Sequence, residues 1–271
     1  MKLNRQRLFR ILKVVILLYC GIGIALYYLQ DTFLFHPKKL TEGHVFKFDM
    51  PFKEWEIPVN KEDNISLIQF FPDDTVKRKG AVIYYHGNME NVERYAPFVN
   101  NFTRHGYEVW MPDYPGFGKT TGERNEKKLY EQAYQVKRLV ESRYHNDSII
   151  LYGKSFGTGI AAYVASISQS KQLILETPYY SIPSLFSTYA FIYPTSYMSD
   201  YKIPTAEYLL DVKAPVTIFH GTSDGVIPYR CAAKLKNMLK PGDRFVTIEN
   251  GKHNNLAGFA IYQQVLDSLL Q

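Results

Sequence analysis

Residues 151–159 read LYGKSFGTG, and two incompatible folds claim them. Gly153-Lys154-Ser155 is the ending of a phosphate-binding loop, whereas Gly153-x-Ser155-x-Gly157 is the turn that presents a catalytic serine. A phosphate loop needs GxxxxGK[ST], because flexible backbone must wrap the phosphates before the lysine arrives. Five places before Gly153 stands Ser148, and Ile149 to Tyr152 between them are β-forming residues with no room for a loop. The serine reading fits its surroundings. A nucleophile elbow needs a strand, a sharp turn and a helix, with small residues two places either side of the serine. Here SIILY supplies the strand, Gly153 and Gly157 the small flanks, and TGIAAYVAS the helix. A stray GxSxG turns up in roughly one chain of this length in ten, so the strand-to-helix context carries the argument rather than the motif.

A serine hydroxyl is a poor nucleophile at neutral pH and needs a base within reach, itself oriented by a carboxylate. In this architecture the order along the chain is serine, acid, histidine. Only His220 and His253 lie downstream of Ser155. His220 ends a buried-looking strand and reads as structural. His253, in the polar turn of ENGKHNNL before the last helix, sits where a base hangs over the strand ends. Asp224 follows the strand ending at His220. An aspartate in such a turn is usually solvated, but its place between Ser155 and His253 makes it the candidate acid, with Glu176 in reserve and Asp113 out of order. The oxyanion needs two backbone donors: Phe156, just after the nucleophile, and Asn88 or Met89 in the turn HGNMEN. His86 is expected to support that turn.

The rest of the chain alternates strands and helices. Strand-like stretches lie at 54–59, 65–71, 81–87, 107–113, 148–153, 172–176, 216–220 and 245–249. Helical spacing appears from Asn91 to about Phe102, in EKKLYEQAYQVKRLVESRY, from Thr158 to Ser168, around Tyr229 to Leu239 and from Leu256 to Leu270. Alternation of this kind implies crossover units and a parallel sheet covered on both faces. Residues 179–210 interrupt it with nine aromatics and three prolines, and such an excursion between strands is expected to cap the sheet's edge.

The chain has 271 residues and a formal charge of +6, but Lys2, Arg5, Arg7, Arg10 and Lys13 carry five of its 32 basic residues. Without them 27 basic residues face 26 acidic ones, so no nucleic-acid partner is expected. That basic cluster leads into sixteen uncharged residues, Val14 to Leu29, which reach spanning length with Ile11, Leu12 and a snorkelling Lys13. Tyr27, Tyr28, Phe33 and Phe35 suit an interfacial belt. A cleaved signal peptide is the alternative, leaving a secreted protein. Against it, Gly21-Ile22-Gly23 is followed by more apolar chain, and Tyr19 precedes Cys20 where a lipoprotein signal has a small residue. The excess of positive charge before the span points the rest of the chain to the non-cytoplasmic side. The expected divisions are a basic N terminus and anchor or signal (1–29), a connector (30–44) and a catalytic domain (45–271) with its cap at about 179–210. Neither the two cysteines nor the seven histidines have metal-ligand spacing, and no cofactor is expected.

The segments HGN, DYPGFG, GKSFG, HGTSDGVIP and GKHNN, standing in that order, resemble the α/β-hydrolase superfamily. The resemblance is nearest to small membrane-anchored hydrolases whose basic signal-anchor is followed by a segment like QDTFLFHP, and it covers about residues 28–270. It implies the α/β-hydrolase fold and a serine esterase or thioesterase, with Ser155 as nucleophile, Asp224 as acid and His253 as base. Some relatives are protein depalmitoylases and others are serine aminopeptidase-like. Tyr114-Pro115 stands where relatives often carry an arginine, so that arginine's role is not carried over. The cap aromatics and the anchor favour an apolar, lipid-like acyl substrate at a membrane surface, or these rings simply pack the cap. The alternatives are aminopeptidase-like activity, acyl transfer to an acceptor other than water, and a non-catalytic binding protein on the same fold.

Overall fold

The computed structural model describes residues 5–271; Lys2 of the basic cluster lies outside the described residues. Eight strands build one sheet: β1 (Phe52–Pro58), β2 (Asn64–Phe70), β3 (Gly80–Tyr85), β4 (Tyr107–Pro112), β5 (Ile149–Lys154), β6 (Gln172–Glu176), β7 (Val216–Gly221) and β8 (Arg244–Ile248). Their order is β8-β7-β6-β5-β3-β4-β2-β1. β2 runs antiparallel to both β1 and β4, and the other pairs are parallel. The central strands are buried from end to end, which is why they read as apolar runs rather than alternating ones. Side chains still alternate between the two faces. Ile149 and Leu151 of β5 join one core with Trp110 and Ala161, while Ile150 and Tyr152 join the other with Phe102 and Tyr262.

Helices α1 (Arg5–Tyr28) and α2 (Gln30–Leu34) precede the sheet, and α3 (Glu126–Glu141), α4 (Gly157–Ile167) and α7 (Ala260–Leu270) flank it. Between β6 and β7 the chain forms α5 (Ile182–Tyr189), a short turn at Thr195–Met198 and α6 (Thr205–Asp211). α1 is long and apolar enough to cross a membrane, and at 24 residues it measures about 36 Å.

Four expectations need adjustment. The helix expected over Asn91–Phe102 is broken into Val92–Tyr95, a 3-10 turn at Ala96–Phe98, and Asn100–Thr103. Pro97 has no N–H to donate, so an i→i−4 bond is missing there and the chain tightens to the 3-10 turn, although Ala96 keeps helical backbone geometry. The helix over Tyr229–Leu239 tightens to 3-10 form after Ala233, and extended backbone at Phe259 splits the last helix. The connector is not featureless. It holds α2, and His36–Pro37 pairs in parallel with Met89–Glu90, clipping the N-terminal segment to the turn after β3.

Candidate functional site

Ser155 sits between β5 and α4 with φ of 52°, a left-handed conformation that costs a residue other than glycine about 1–3 kcal/mol. The surrounding structure imposes it. The Ser155 amide donates to the Glu176 carbonyl at 2.8 Å, and its carbonyl accepts from the Thr158 amide and hydroxyl at 2.9 and 2.6 Å. The small flanks are steric requirements. A Cβ on Gly157 would lie 2.0 Å from the Tyr85 carbonyl oxygen, and one on Gly153 would lie 2.5 Å from that of Gly157.

The three side chains picked out along the sequence meet above the ends of β5, β7 and β8. His253 Nε2 is 2.9 Å from Ser155 Oγ, and His253 Nδ1 is 2.8 Å from Asp224 Oδ2. With Nδ1–H donating to the carboxylate, Nε2 is left to accept the serine proton. Asp224 is held by the amides of Val226 and Ile227, each donating to Oδ1 at 2.8 Å. Burial pushes its carboxyl up, but the hydrogen bond and charge of His253 and the Ile227 amide outweigh that and leave it below the usual carboxylate range. The histidine and acid turns pack backbone against backbone, with the Ser223 amide donating to the Gly251 carbonyl at 2.9 Å.

The other candidates fall elsewhere. His220 is fully buried, with Nε2 donating to the Ile227 carbonyl at 2.9 Å and lying 3.5 Å from Asp224. It supports the acid turn and does not reach the serine. Glu176 is taken by the Lys154 ammonium and by the hydroxyls of Tyr152 and Tyr262. Lys154 follows the alternation of β5 onto the Tyr152 side of the sheet, away from Ser155. His86 lies against Asp113 at 3.1 Å and the Gly87 carbonyl at 2.7 Å, and Tyr114 donates to its carbonyl at 2.8 Å, fixing the turn after β3. In that turn the Met89 amide faces the Tyr95 hydroxyl at 3.4 Å. The amides of Asn88 and Phe156 donate to no protein group among the described residues.

Residues 76–203 match the profile of the family described as "Serine aminopeptidase, S33". The uncharacterized protein YfhR of Escherichia coli O157:H7 is 27% identical over 195 residues, covering 68% of this chain and 67% of YfhR. The α/β hydrolase domain-containing protein 17C of Xenopus tropicalis is 28% identical over 199 residues, 70% of this chain but only 60% of that protein's length. The esterase Pf2001 of Pyrococcus furiosus superposes with a TM-score of 0.68 at 18% identity, covering 88% of this chain and 97% of the esterase. The chain has the α/β-hydrolase fold.

What the sequence reading of this α/β hydrolase missed is the part played by residues 30–37. Asn88 Nδ2 donates to the Leu34 carbonyl at 2.6 Å, and the ring of Phe35 lies 5.0 Å edge-on from Phe156. Asp31 accepts from Arg124 at 2.7 Å and from the Tyr201 hydroxyl at 2.8 Å, the latter tying this segment to the insertion between β6 and β7. The segment therefore braces Asn88 and Phe156, and His36 pairs with Met89, the third candidate oxyanion donor. These partners lie 54 to 170 residues away in the chain, and only the motif QDTFLFHP hinted at them. Beside Asn88 opens a cavity of about 400 Å³, walled by α2, the end of α1, and α5.

Proposed function

We propose that this hydrolase cleaves carboxylic esters or thioesters through an acyl-serine intermediate. The reading is carried by the 2.9 Å approach of His253 Nε2 to Ser155 Oγ, with Asp224 behind the imidazole. Ser155 Oγ attacks the acyl carbon as His253 takes its proton, and the amides of Phe156 and Asn88 receive the oxyanion. The bond to the leaving alcohol or thiol then breaks, and His253 returns the proton to it. Water, deprotonated by the same imidazole, attacks the acyl-serine, and release of the carboxylic acid restores the hydroxyl. Asp224 holds the tautomer and stabilises the imidazolium in both halves.

An ester is favoured over a peptide N terminus because the cavity beside Asn88 presents no carboxylate for a free amine; its polar groups are neutral, such as Gln30 and Ser199. A fluorophosphonate probe is expected to form an adduct on Ser155 in folded protein, with p-nitrophenyl esters turned over faster than amino-acid anilides. Absence of the adduct would point to a non-catalytic member of the fold, and faster anilide turnover to an aminopeptidase. We further infer that α1 remains as an anchor, with the positive charges before it leaving the catalytic domain on the non-cytoplasmic side. An alkaline phosphatase fusion at the C terminus is expected to be active, and activity of a cytoplasmic reporter there would refute the orientation.

A further inference from the structure

α1 does not simply lead into the domain; one stripe of it packs against the cap. Tyr19, Gly23, Leu26 and Gln30 recur at the three- and four-residue spacing of one helical face. Tyr19 stacks on Tyr193 with centroids 4.7 Å apart, its hydroxyl donates to the Ile192 carbonyl at 3.2 Å, and Tyr193 donates back to the Tyr19 carbonyl at 3.0 Å. A Cβ on Gly23 would sit 3.1 Å from the Tyr193 ring, so glycine permits the close approach. Gln30 exchanges hydrogen bonds with Asp200, donating from Nε2 at 2.9 Å and accepting the backbone amide at 2.7 Å. Leu26 and Gln30 then face the cavity beside Asn88, whose opposite wall is Leu185, Phe186 and Tyr189 of α5.

This packing fixes a depth. Tyr19 lies nine residues before the end of α1, about 14 Å along the axis. Where α1 spans a bilayer, the loop at residues 190–198 is therefore drawn down beside the middle of the apolar stretch, well below the headgroups. Its outward side chains suit that place: Phe191 is 82% exposed, Tyr197 88% and Ile192 58%. Large apolar groups bared together mark a surface meant for something other than water.

Resting on the acyl-serine reading above, we propose that the 190–198 loop and the stripe formed by Tyr19, Gly23 and Leu26 of α1 with Gln30 of α2 form a lateral portal within one leaflet. Through it, the acyl chain of a membrane-resident ester or thioester slides into the cavity and brings its carbonyl to Ser155. The substrate never has to leave the bilayer. The cavity volume falls within the roughly 300–1,000 Å³ of small-molecule sites, and its apolar walls receive a chain coming from lipid without exposing it to water.

The test uses the full chain in phosphatidylcholine vesicles, with soluble p-nitrophenyl butyrate as the short-chain probe. Palmitoylglycerol and an S-palmitoyl peptide in the bilayer serve as the two long-chain probes, separating an oxygen ester of a lipid from a thioester of a peptide. Leu26→Trp, which narrows the cavity from the anchor side, is expected to lower the long-to-short turnover ratio at least ten-fold. Phe191→Asp/Ile192→Asp, on the outer surface, is expected to do the same. A ratio unmoved by both, in protein whose Ser155 still takes fluorophosphonate, overturns the portal. A photoactivatable palmitoyl ester offered to the Ser155→Ala variant gives a readout independent of turnover. Adducts on Leu26 or Leu185 support the portal even where the hydrolytic reading fails, and adducts confined to the lipid-facing side of α1 overturn it.

Discussion

Replacing Lys154 with methionine isolates the ion pair beneath the nucleophile turn. Lys154 and Glu176 are 3% and 4% exposed, so removing the ammonium strands a carboxylate among the hydroxyls of Tyr152 and Tyr262. In the wild type, burial pushes Glu176 up, but the Lys154 charge and the hydrogen bonds from Lys154, Tyr152 and Tyr262 more than offset this and hold it below its ordinary 4.5. Without Lys154 the burial effect dominates, and Glu176 is expected to take a proton in the fold. At pH 7, about 2.5 units above the ordinary value, protonation costs about 3 kcal/mol, falling to about 1 kcal/mol at pH 5.5. The first figure agrees with the ~3–5 kcal/mol typical of a broken buried pair. For a domain of this size it corresponds to a melting temperature lower by roughly 6–12 °C.

The two proteins should respond to acid in opposite directions. In the wild type the depressed Glu176 stabilises the fold above the unfolded value of 4.5, and that contribution fades as pH falls through the folded pKa. In Lys154→Met the raised Glu176 favours the fold below 4.5, and that contribution is lost as pH climbs. Thermal unfolding of detergent-solubilised protein between pH 5 and 7.5 is expected to show the gap narrowing with acid, and Glu176→Gln in the same background should remove the narrowing. A gap independent of pH, or no loss of stability at pH 7, would refute the account of this pair.

On the proposed chemistry, Asp224→Asn leaves the fold in place but lowers kcat by about 10⁴, because the amide no longer selects the imidazole tautomer; wild-type-like ester turnover would remove Asp224 from the acid role. Burial holds His220 below its ordinary 6.5 despite the Ile227 carbonyl and Asp224, so the unfolded chain binds the proton first and stability is lost as pH falls below 6.5, at up to about 1.4 kcal/mol per unit. His220→Gln is expected to flatten the melting temperature between pH 6.5 and 5.5, and a slope parallel to the wild type would show that His220 is not the group responsible.

The chain on its own determined the sheet and the turn that carries the serine, because both rest on local pattern. Runs such as IILYG and LIL are apolar from end to end since both sheet faces are covered, and Gly153 and Gly157 are required within five residues of one another by backbone contact. The order of Ser155, Asp224 and His253 was also legible, because parallel strands ending at one rim deliver their following turns to the same place. Tertiary structure decided matters that depend on which remote groups meet. Glu176 and Asp224 both stand near strand ends; chain order favoured Asp224, and the buried Lys154 beside Glu176 and His253 beside Asp224 separate them by contact. The bracing of Asn88 by Leu34, and of Asp31 by Arg124 and Tyr201, joins side chains with no periodicity or spacing to announce them. The seating of α1 against the cap is of the same kind. A helix reports its own hydrophobicity in its residues, but the neighbour it packs on is set by the path of the whole chain.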